Sequence, residues 1–314
     1  MLNFSSDSSE SLTLDFSFLD QTPSDSFSNL PISKYEDFSE NSPCYSLSMN
    51  ICGRRQMQDR VKFLTFLIFS ITFLIKAKVY TTPDNQIHYF AVFDGHGSEK
   101  IADFLSIKLH EYLLQNTDFL SNPISTIKSA FALINQEVTA AFSNEDGGSV
   151  VIICIIVQNR LFVVNLGDSR AILIKKNQKV FQLNCEHTPD KPEECQRIER
   201  MGGYVINVNE KPRVQGSLAV TRSIGDPIYK PFVSCEPDIY EYGLDENSKY
   251  LVLASDGLWN ECRNEDVGEF LKGRGIENAA KQLIEKIGEE KGFIEDNTTV
   301  ICVDVEEIKR RSRV

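Results

Sequence analysis

The chain has 314 residues, of which 41% are hydrophobic and 25% charged, values typical of a soluble globular protein with a sizeable core. Its net charge of −12 and pI of about 4.9 argue against nucleic-acid binding, because that function needs a basic face. The eight cysteines form no C-x-x-C pair and several lie in apolar runs, which is typical of free thiols in a reducing compartment.

The first 47 residues are rich in Ser, Asp and Phe, and Lys34 is their only basic residue. Such a stretch buries too little apolar surface to offset its ordering entropy, so we predict a disordered tail over 1–47. It has neither the charge and apolar pattern of a secretory signal nor the Arg-rich character of a transit peptide. The cytoplasm or the nucleus is therefore the expected location.

Residues 48–306 have the pattern of one globular domain, followed by a basic tail at 307–314. Apolar runs bounded by turn-forming residues predict strands at 89–93, 150–157, 160–165, 171–174, 250–254 and 299–305. Helical periodicity and start or stop signals predict helices at 99–115, 122–143, 192–201, 264–272 and 278–288. Strands in runs with helices grouped between them favour an α+β fold.

An atypical apolar insertion at 63–78 contains the run FLTFLIFSITFLI at 63–75, which is shorter than the roughly 20 residues of a membrane-spanning helix. Three explanations are open: an interfacial or signal-anchor segment, a core strand or hairpin extension, and a retained intron in the gene model. The composition is typical of translated A/T-rich non-coding DNA, and Val61-Lys62 would join naturally to Val79-Tyr80. The retained intron is therefore our favoured explanation, and membrane association is not expected.

Three carboxylates stand at predicted strand ends: Asp94 before Gly95, Asp256 before Gly257, and Asp296 before Asn297. Oxygen ligands on a rigid support suit hard cations such as Mg²⁺ and Mn²⁺, and a glycine after the Asp exposes a backbone carbonyl as a further ligand. A single Asp-Gly more often marks a hairpin turn. The combination and its order are more specific than any one pair.

In combination, the chain resembles the protein phosphatase 2C family of metal-dependent phosphatases, and plant-type members most closely. The motifs that carry the resemblance are, in chain order, 53–59 (GRRQMQD), 89–97 (YFAVFDGHG), 147–149 (GGS), 165–171 (NLGDSRA), 187–190 (HTPD), 214–226 (VQGSLAVTRSIGD), 253–259 (LASDGLW) and 296–297 (DN).

The resemblance implies a central sandwich of two antiparallel sheets flanked by helices on both sides, with a binuclear metal cleft at one end. It implies that Asp94 bridges two Mg²⁺ or Mn²⁺ ions, that the Gly95 carbonyl completes one site, and that Asp256 and Asp296 bind the other ion. Two such cations would activate a water for in-line attack on phosphorus.

The same resemblance implies three catalytic roles. Arg54 would bind the phosphate oxygens, although the adjacent Arg55 is an alternative. His96 would protonate the leaving serine or threonine oxygen. Asp59 would hold metal-bound waters. The implied activity is protein-serine/threonine phosphatase, acting as a monomer on phosphorylated proteins, with protein kinases as further partners.

Two departures bear on catalysis: Gln58 stands where the family usually has Glu, and Asn260 where it usually has Asp. Asp168 either binds a third cation or serves only as a turn residue. His187 is expected to be structural, and Trp259 and the 216–226 segment to pack in the core. The alternative function is a catalytically weak or inactive relative that binds phosphoproteins or kinases as a scaffold.

Overall fold

The structure, a computed structural model, describes residues 38–50, 59–62, 87–114, 118–292, 294 and 296–312. All of these residues belong to one compact unit, Glu36–Val314. In spatial order, the first sheet contains β1 (Phe38–Ser42), β2 (Tyr45–Asn50), β14 (Thr298–Asp304), β13 (Ser248–Ala254), β7 (Arg170–Lys175) and β8 (Val180–Gln182). The second contains β12 (Asp238–Gly243), β6 (Arg160–Leu166), β5 (Gly148–Val157), β4 (Ile87–His96) and β3 (Asp59–Lys62), with β11 (Ile224–Gly225) pairing with β5.

Neighbouring strands in both sheets are antiparallel, and β9 (Val205–Val208) and β10 (Lys211–Val214) form a separate hairpin. The helices are α1 (Glu99–Leu114), α2 (Pro123–Ala141), α3 (Pro192–Arg200), α4 (Asp256–Trp259), α5 (Asn264–Leu271), α6 (Ala279–Lys291) and α7 (Val305–Arg311). Pro123, which suits a first helical turn, opens α2. Helix α6 continues three residues beyond its predicted end at 288 and is followed by Gly292, with φ of +79°.

The alternation of side chains along β4 shows why the strands are apolar on both faces. Phe90 and Val92 pack into the core between the two sheets, whereas Tyr89, Ala91 and Phe93 pack against α1 and α2. On the outer face of the first sheet, a third core lies under α4, α5 and α6. Both faces of each sheet are thus covered, so central strands need unbroken apolar runs rather than alternation. The predicted α+β sandwich with helices on both sides is confirmed.

The predicted domain boundary at residue 47 is too late, because β1 and β2 already belong to the first sheet. In β2, Tyr45, Leu47 and Met49 are buried, and the strand pairs with β14 along its length. The serines between these residues made the segment look like part of the polar tail. Residues 1–37, which make up the rest of that predicted tail, lie outside the described residues.

The predicted basic tail at 307–314 is in fact mostly helix α7. Val305 and Ile308 are buried in the core between the sheets, while the ion pairs of Glu307 with Arg310 and Arg311 lie on the outer side. Spacing of three residues between two apolar side chains was too short a pattern to predict this helix.

No helix in the part of the chain that the structure describes is long and apolar enough to cross a membrane. The apolar insertion at 63–78 lies outside the described residues, between β3 and β4.

Candidate metal and catalytic site

The strand register brings two of the predicted metal ligands to one end of the first sheet. Ala254 of β13 pairs with Val300 of β14. Asp256 follows Ala254 closely and Asp296 shortly precedes Val300, so both carboxylates leave the sheet at the same end. Ala254 also pairs with Arg170, which begins β7.

The turn between β6 and β7 connects this end to the second sheet. Leu166, the last residue of β6, pairs with Val151 of β5, and the neighbouring Val150 pairs with Asp94 of β4. The turn that carries Asp168 runs from this end of the second sheet to Arg170 in the first sheet. Because β4 also packs against β13 and β14 across the core, the turn after Asp94 lies at the same end of the sandwich as the other carboxylates.

Close backbone packing fixes the turn after Asp94. Gly97 has φ of +72°, and a Cβ atom there would lie 2.2 Å from the backbone oxygen of Asp146. Only glycine fits this approach. Asp59 pairs with Asp94 in the ladder between β3 and β4, which puts the backbone of this predicted catalytic residue beside the site.

A second close approach joins the turns that carry Asp256 and Asp296. A Cβ on Gly257 would lie 2.2 Å from the backbone oxygen of Asn297. The backbone N–H of Asn297 donates to Asp296 Oδ1 at 2.7 Å, and the Asn260 side-chain amide donates to Asp256 Oδ2 at 3.1 Å. Both Asp side chains are partly exposed at the mouth of the site.

Asp168 lies close enough to the other carboxylates for their charges to raise its pKa. Burial, and next the negative charge of Asp256, raise the pKa of Asp168 well above its usual range, and Asp296 acts in the same direction. Such mutual repulsion is what bound cations would offset. Asp168 therefore belongs to the carboxylate cluster, whichever of its two predicted roles it has.

The donor set is chemically suited to hard cations, since carboxylate oxygens and the Gly95 carbonyl are the ligands that Mg²⁺ and Mn²⁺ prefer. Among the described residues, no group of three or more His, Cys, Asp or Glu side chains has the arrangement of a formed metal site. The side chain of Asp59 and all of Arg54, Arg55 and Gln58 lie outside the described residues.

His96 is held by a residue that sequence reasoning missed. Its Nε2 lies 2.7 Å from Oδ2 of Asp226, which is 2% exposed. The hydroxyl of Ser223 donates to the same oxygen, and the Asp226 backbone N–H donates to the Gly147 oxygen at 2.8 Å. The 216–226 segment thus does more than pack the core.

His187 contacts the turn that carries Asp168 through a hydrogen bond. Its Nδ1 accepts the backbone N–H of Gly167 at 3.1 Å, so Nε2 carries the proton and donates to Asp238 at 3.0 Å. His187 is 2% exposed, and these contacts agree with its expected structural role.

Arg170 links the Asp168 turn to the Asp256 turn. Its guanidinium lies 5.0 Å from the centre of the Trp259 ring, and its Nε donates to Glu186 at 2.5 Å. The indole N–H of Trp259 donates to the Ala254 oxygen at 2.9 Å. Trp259 is buried, as predicted, and the cation above its ring ties the two carboxylate-bearing turns together.

Comparison with known proteins shows which family this chain resembles. The family model described as "Protein phosphatase 2C" matches residues 55–290. The chain is 34% identical over 230 residues to rice probable protein phosphatase 2C 55, covering 72% of this chain and 60% of that protein. It is 36% identical over 215 residues to Arabidopsis thaliana probable protein phosphatase 2C 28, covering 68% of this chain and 63% of that protein.

The fold is also similar to that of known structures. The crystal structure of serine-threonine phosphatase 2C from Toxoplasma gondii superimposes with a TM-score of 0.63 at 20% identity, covering 85% of this chain and 96% of that one. The α+β sandwich is thus a fold that this chain shares with a solved phosphatase structure. The chain belongs to the protein phosphatase 2C family, and the two sequence relatives above are plant proteins. The matched region spans somewhat less than two thirds of these two plant relatives.

Proposed function

We propose that this protein hydrolyses phosphoserine and phosphothreonine in proteins, using two Mg²⁺ or Mn²⁺ ions. The observation that carries the proposal is the convergence of Asp94, Asp256 and Asp296 at one end of the sandwich, beside His96. Family membership supports the reaction class.

The chain's own residues would divide the work as follows. Asp94, Asp256, Asp296 and the Gly95 carbonyl would hold the cations, which when bound supply an acidified water and neutralise phosphate charge. Arg54 would bind the phosphate oxygens through its planar guanidinium. His96 would give a proton to the departing serine or threonine oxygen.

Phosphorylated proteins would be the substrates, with protein kinases as further partners. All seven cysteines in the described part of the chain are free, which supports the proposed location in the reducing cytoplasm or nucleus.

The test is release of phosphate from a phosphothreonine peptide with Mn²⁺ or Mg²⁺, with and without EDTA. We expect release only with metal, and a loss of at least about 100-fold in Asp94→Asn, because charge stabilisation at the phosphate would be weakened. A matched control is Asp245→Asn, which changes an exposed Asp paired with Lys175 away from the site. Folded protein that binds the phosphopeptide but releases no phosphate with either metal would favour the scaffold alternative.

A further inference from the structure

Asp226 is a buried carboxylate that contacts His96 in the candidate site. His96 Nε2 and the Ser223 hydroxyl both reach its Oδ2 atom. The Asp226 side chain is in turn confined by Gly148, where a Cβ would lie 2.2 Å from that same oxygen.

The backbone at Asp226 is held in an uncommon conformation. Its φ is +54°, in the left-handed region that non-glycine residues rarely adopt. Two backbone bonds secure it: its N–H donates to the Gly147 oxygen at 2.8 Å, and its oxygen accepts from the Tyr229 N–H at 3.1 Å. A conformation that is costly and yet fixed from both sides indicates that the position of the carboxylate matters.

The contact also determines which nitrogen of His96 faces the reaction. A carboxylate oxygen accepts hydrogen bonds, so Nε2–H donates to Asp226 and Nδ1 is the nitrogen left for the substrate. The His96 side chain is 27% exposed, whereas that of Asp226 is 2% exposed, so Asp226 itself does not reach the substrate.

We propose that Asp226 is the positioning residue of His96: it holds the imidazole in the Nε2–H tautomer and directs Nδ1 at the leaving oxygen. This inference rests on the proposed phosphatase activity. Before the reaction His96 carries a proton on each ring nitrogen, and its Nε2–H donates to Asp226. When water attacks phosphorus and the P–O bond to serine or threonine breaks, the Nδ1 proton passes to the departing oxygen. His96 is then neutral, with its remaining proton on Nε2 and bound to Asp226.

Substrates that differ in their need for a proton test this role. An alkyl oxygen of phosphothreonine needs protonation, whereas the p-nitrophenolate of p-nitrophenyl phosphate leaves without it. We expect Asp226→Asn to lower kcat on a phosphothreonine peptide about 10-fold more than on p-nitrophenyl phosphate, with Asp245→Asn unchanged on both. In a His96→Ala background, Asp226→Asn should have no further effect, because the two residues act as one unit. Equal losses on both substrates, or multiplicative losses in the double variant, would overturn the proposal.

A spectroscopic measurement keeps the test independent of activity and of the folding of Asp226→Asn. The chain has four histidines, so ¹⁵N-detected imidazole spectra at a pH where they are neutral resolve each tautomer. We expect the Nε2–H tautomer for His96 in the unmodified protein and in Ser223→Ala, which removes only the second donor. An Nδ1–H tautomer in the unmodified protein would refute the proposal. Absence of metal-dependent hydrolysis of both substrates would instead refute the proposed function, while the tautomer result would still stand.

Discussion

Gly257 approaches Asn297 so closely that a Cβ on Gly257 would lie 2.2 Å from the Asn297 backbone oxygen. This contact holds together the turn that begins with Asp256 and the turn that begins with Asp296. This one backbone contact therefore fixes the two predicted metal ligands, Asp256 and Asp296, relative to each other.

We therefore expect Gly257→Ala to separate the two carboxylates. Alanine has a higher helix propensity by about 1 kcal/mol, but overpacking against backbone costs about 1–3 kcal/mol, so the steric effect should dominate. The free energy of unfolding should fall by up to about 2 kcal/mol, measured by urea denaturation. Metal affinity, measured by calorimetry, should fall with it.

Gly243 provides a matched control, because no atom lies within 4 Å of a Cβ built there. Gly243→Ala should leave stability and metal affinity unchanged. If Gly257→Ala bound metal as tightly as the unmodified protein, the contact would not be what positions the two ligands.

Glu194 belongs to a buried ion-pair network that should make the stability of the fold depend on pH under acidic conditions. Burial alone would raise the pKa of Glu194, but hydrogen bonds from Arg222, Arg197 and Thr221 outweigh it and lower the pKa from 4.5 to about 2. A carboxyl group whose pKa is lower in the folded state stabilises the fold fully above about pH 4.5, and this contribution is lost as the pH falls towards 2.

Glu194→Gln should cost about 3 kcal/mol at pH 7, because it leaves Arg222 buried with its charge less well paired. It should also flatten the decline of stability between pH 4.5 and 2, measured by urea unfolding at several pH values. Glu241→Gln, which changes an exposed pair with Arg160, should have little effect at pH 7. An unaltered acid profile in Glu194→Gln would contradict this account.

The candidate metal ligands could be predicted from the sequence because each Asp lies at one end of an apolar run: Asp94 lies near the end of β4, Asp256 follows β13 by two residues, and Asp296 precedes β14 by two. Unbroken apolar runs marked β4, β5 and β13, and Asp-Gly pairs marked the ends of β4 and β13. The sandwich follows from the same runs, since strands that are apolar on both faces must be covered on both faces.

The partner of His96 could not be predicted from the sequence, because 130 residues separate His96 from Asp226. Periodicity and turn signals report local structure, whereas this contact depends on how β5, β11 and the turn after β4 pack together. A Gly-Asp-Pro sequence such as 225–227 signals a turn, and nothing local distinguishes a turn Asp from one that holds a catalytic base or acid.

Asn260 gives a test of whether a third cation binds beside Asp256. Its side-chain amide donates to Asp256 Oδ2 at 3.1 Å, a contact that an Asp at 260 would replace with repulsion between two carboxylates. Asn260→Asp should therefore lower the Tm in EDTA and raise it more steeply than the unmodified protein as Mn²⁺ or Mg²⁺ is added.

Asn260→Ala removes the same hydrogen bond without adding charge, so it should lower the Tm in EDTA with no steeper response to metal. A thermal-shift titration of both variants separates the two effects. An identical metal response in Asn260→Asp and Asn260→Ala would show that residue 260 does not face a cation.

The register of β3 and β4 makes a specific prediction about the insertion between them. Lys62 pairs with Ala91, so in a variant lacking 63–78 Val79 would follow Lys62 and face Phe90. Continuing the ladder would pair Thr82 with Ile87 and leave 83–86 (PDNQ) as a four-residue hairpin loop, a common length with turn-forming residues. We expect this variant to fold and to hydrolyse phosphopeptide at least as fast as the full chain.

A deletion of 63–77, one residue shorter, is the matched control. This deletion shifts the pairing of the extended strand by one residue. Each side chain would then point to the opposite face of the sheet, unless the hairpin loop accommodated the extra residue. The Tm should therefore be lower than that of the 63–78 deletion, measured by calorimetry on both. Equal Tm values would mean that the strand does not continue past Lys62. A lower rate in the 63–78 deletion than in the full chain would mean that the insertion contributes to the active fold, against its interpretation as a retained intron.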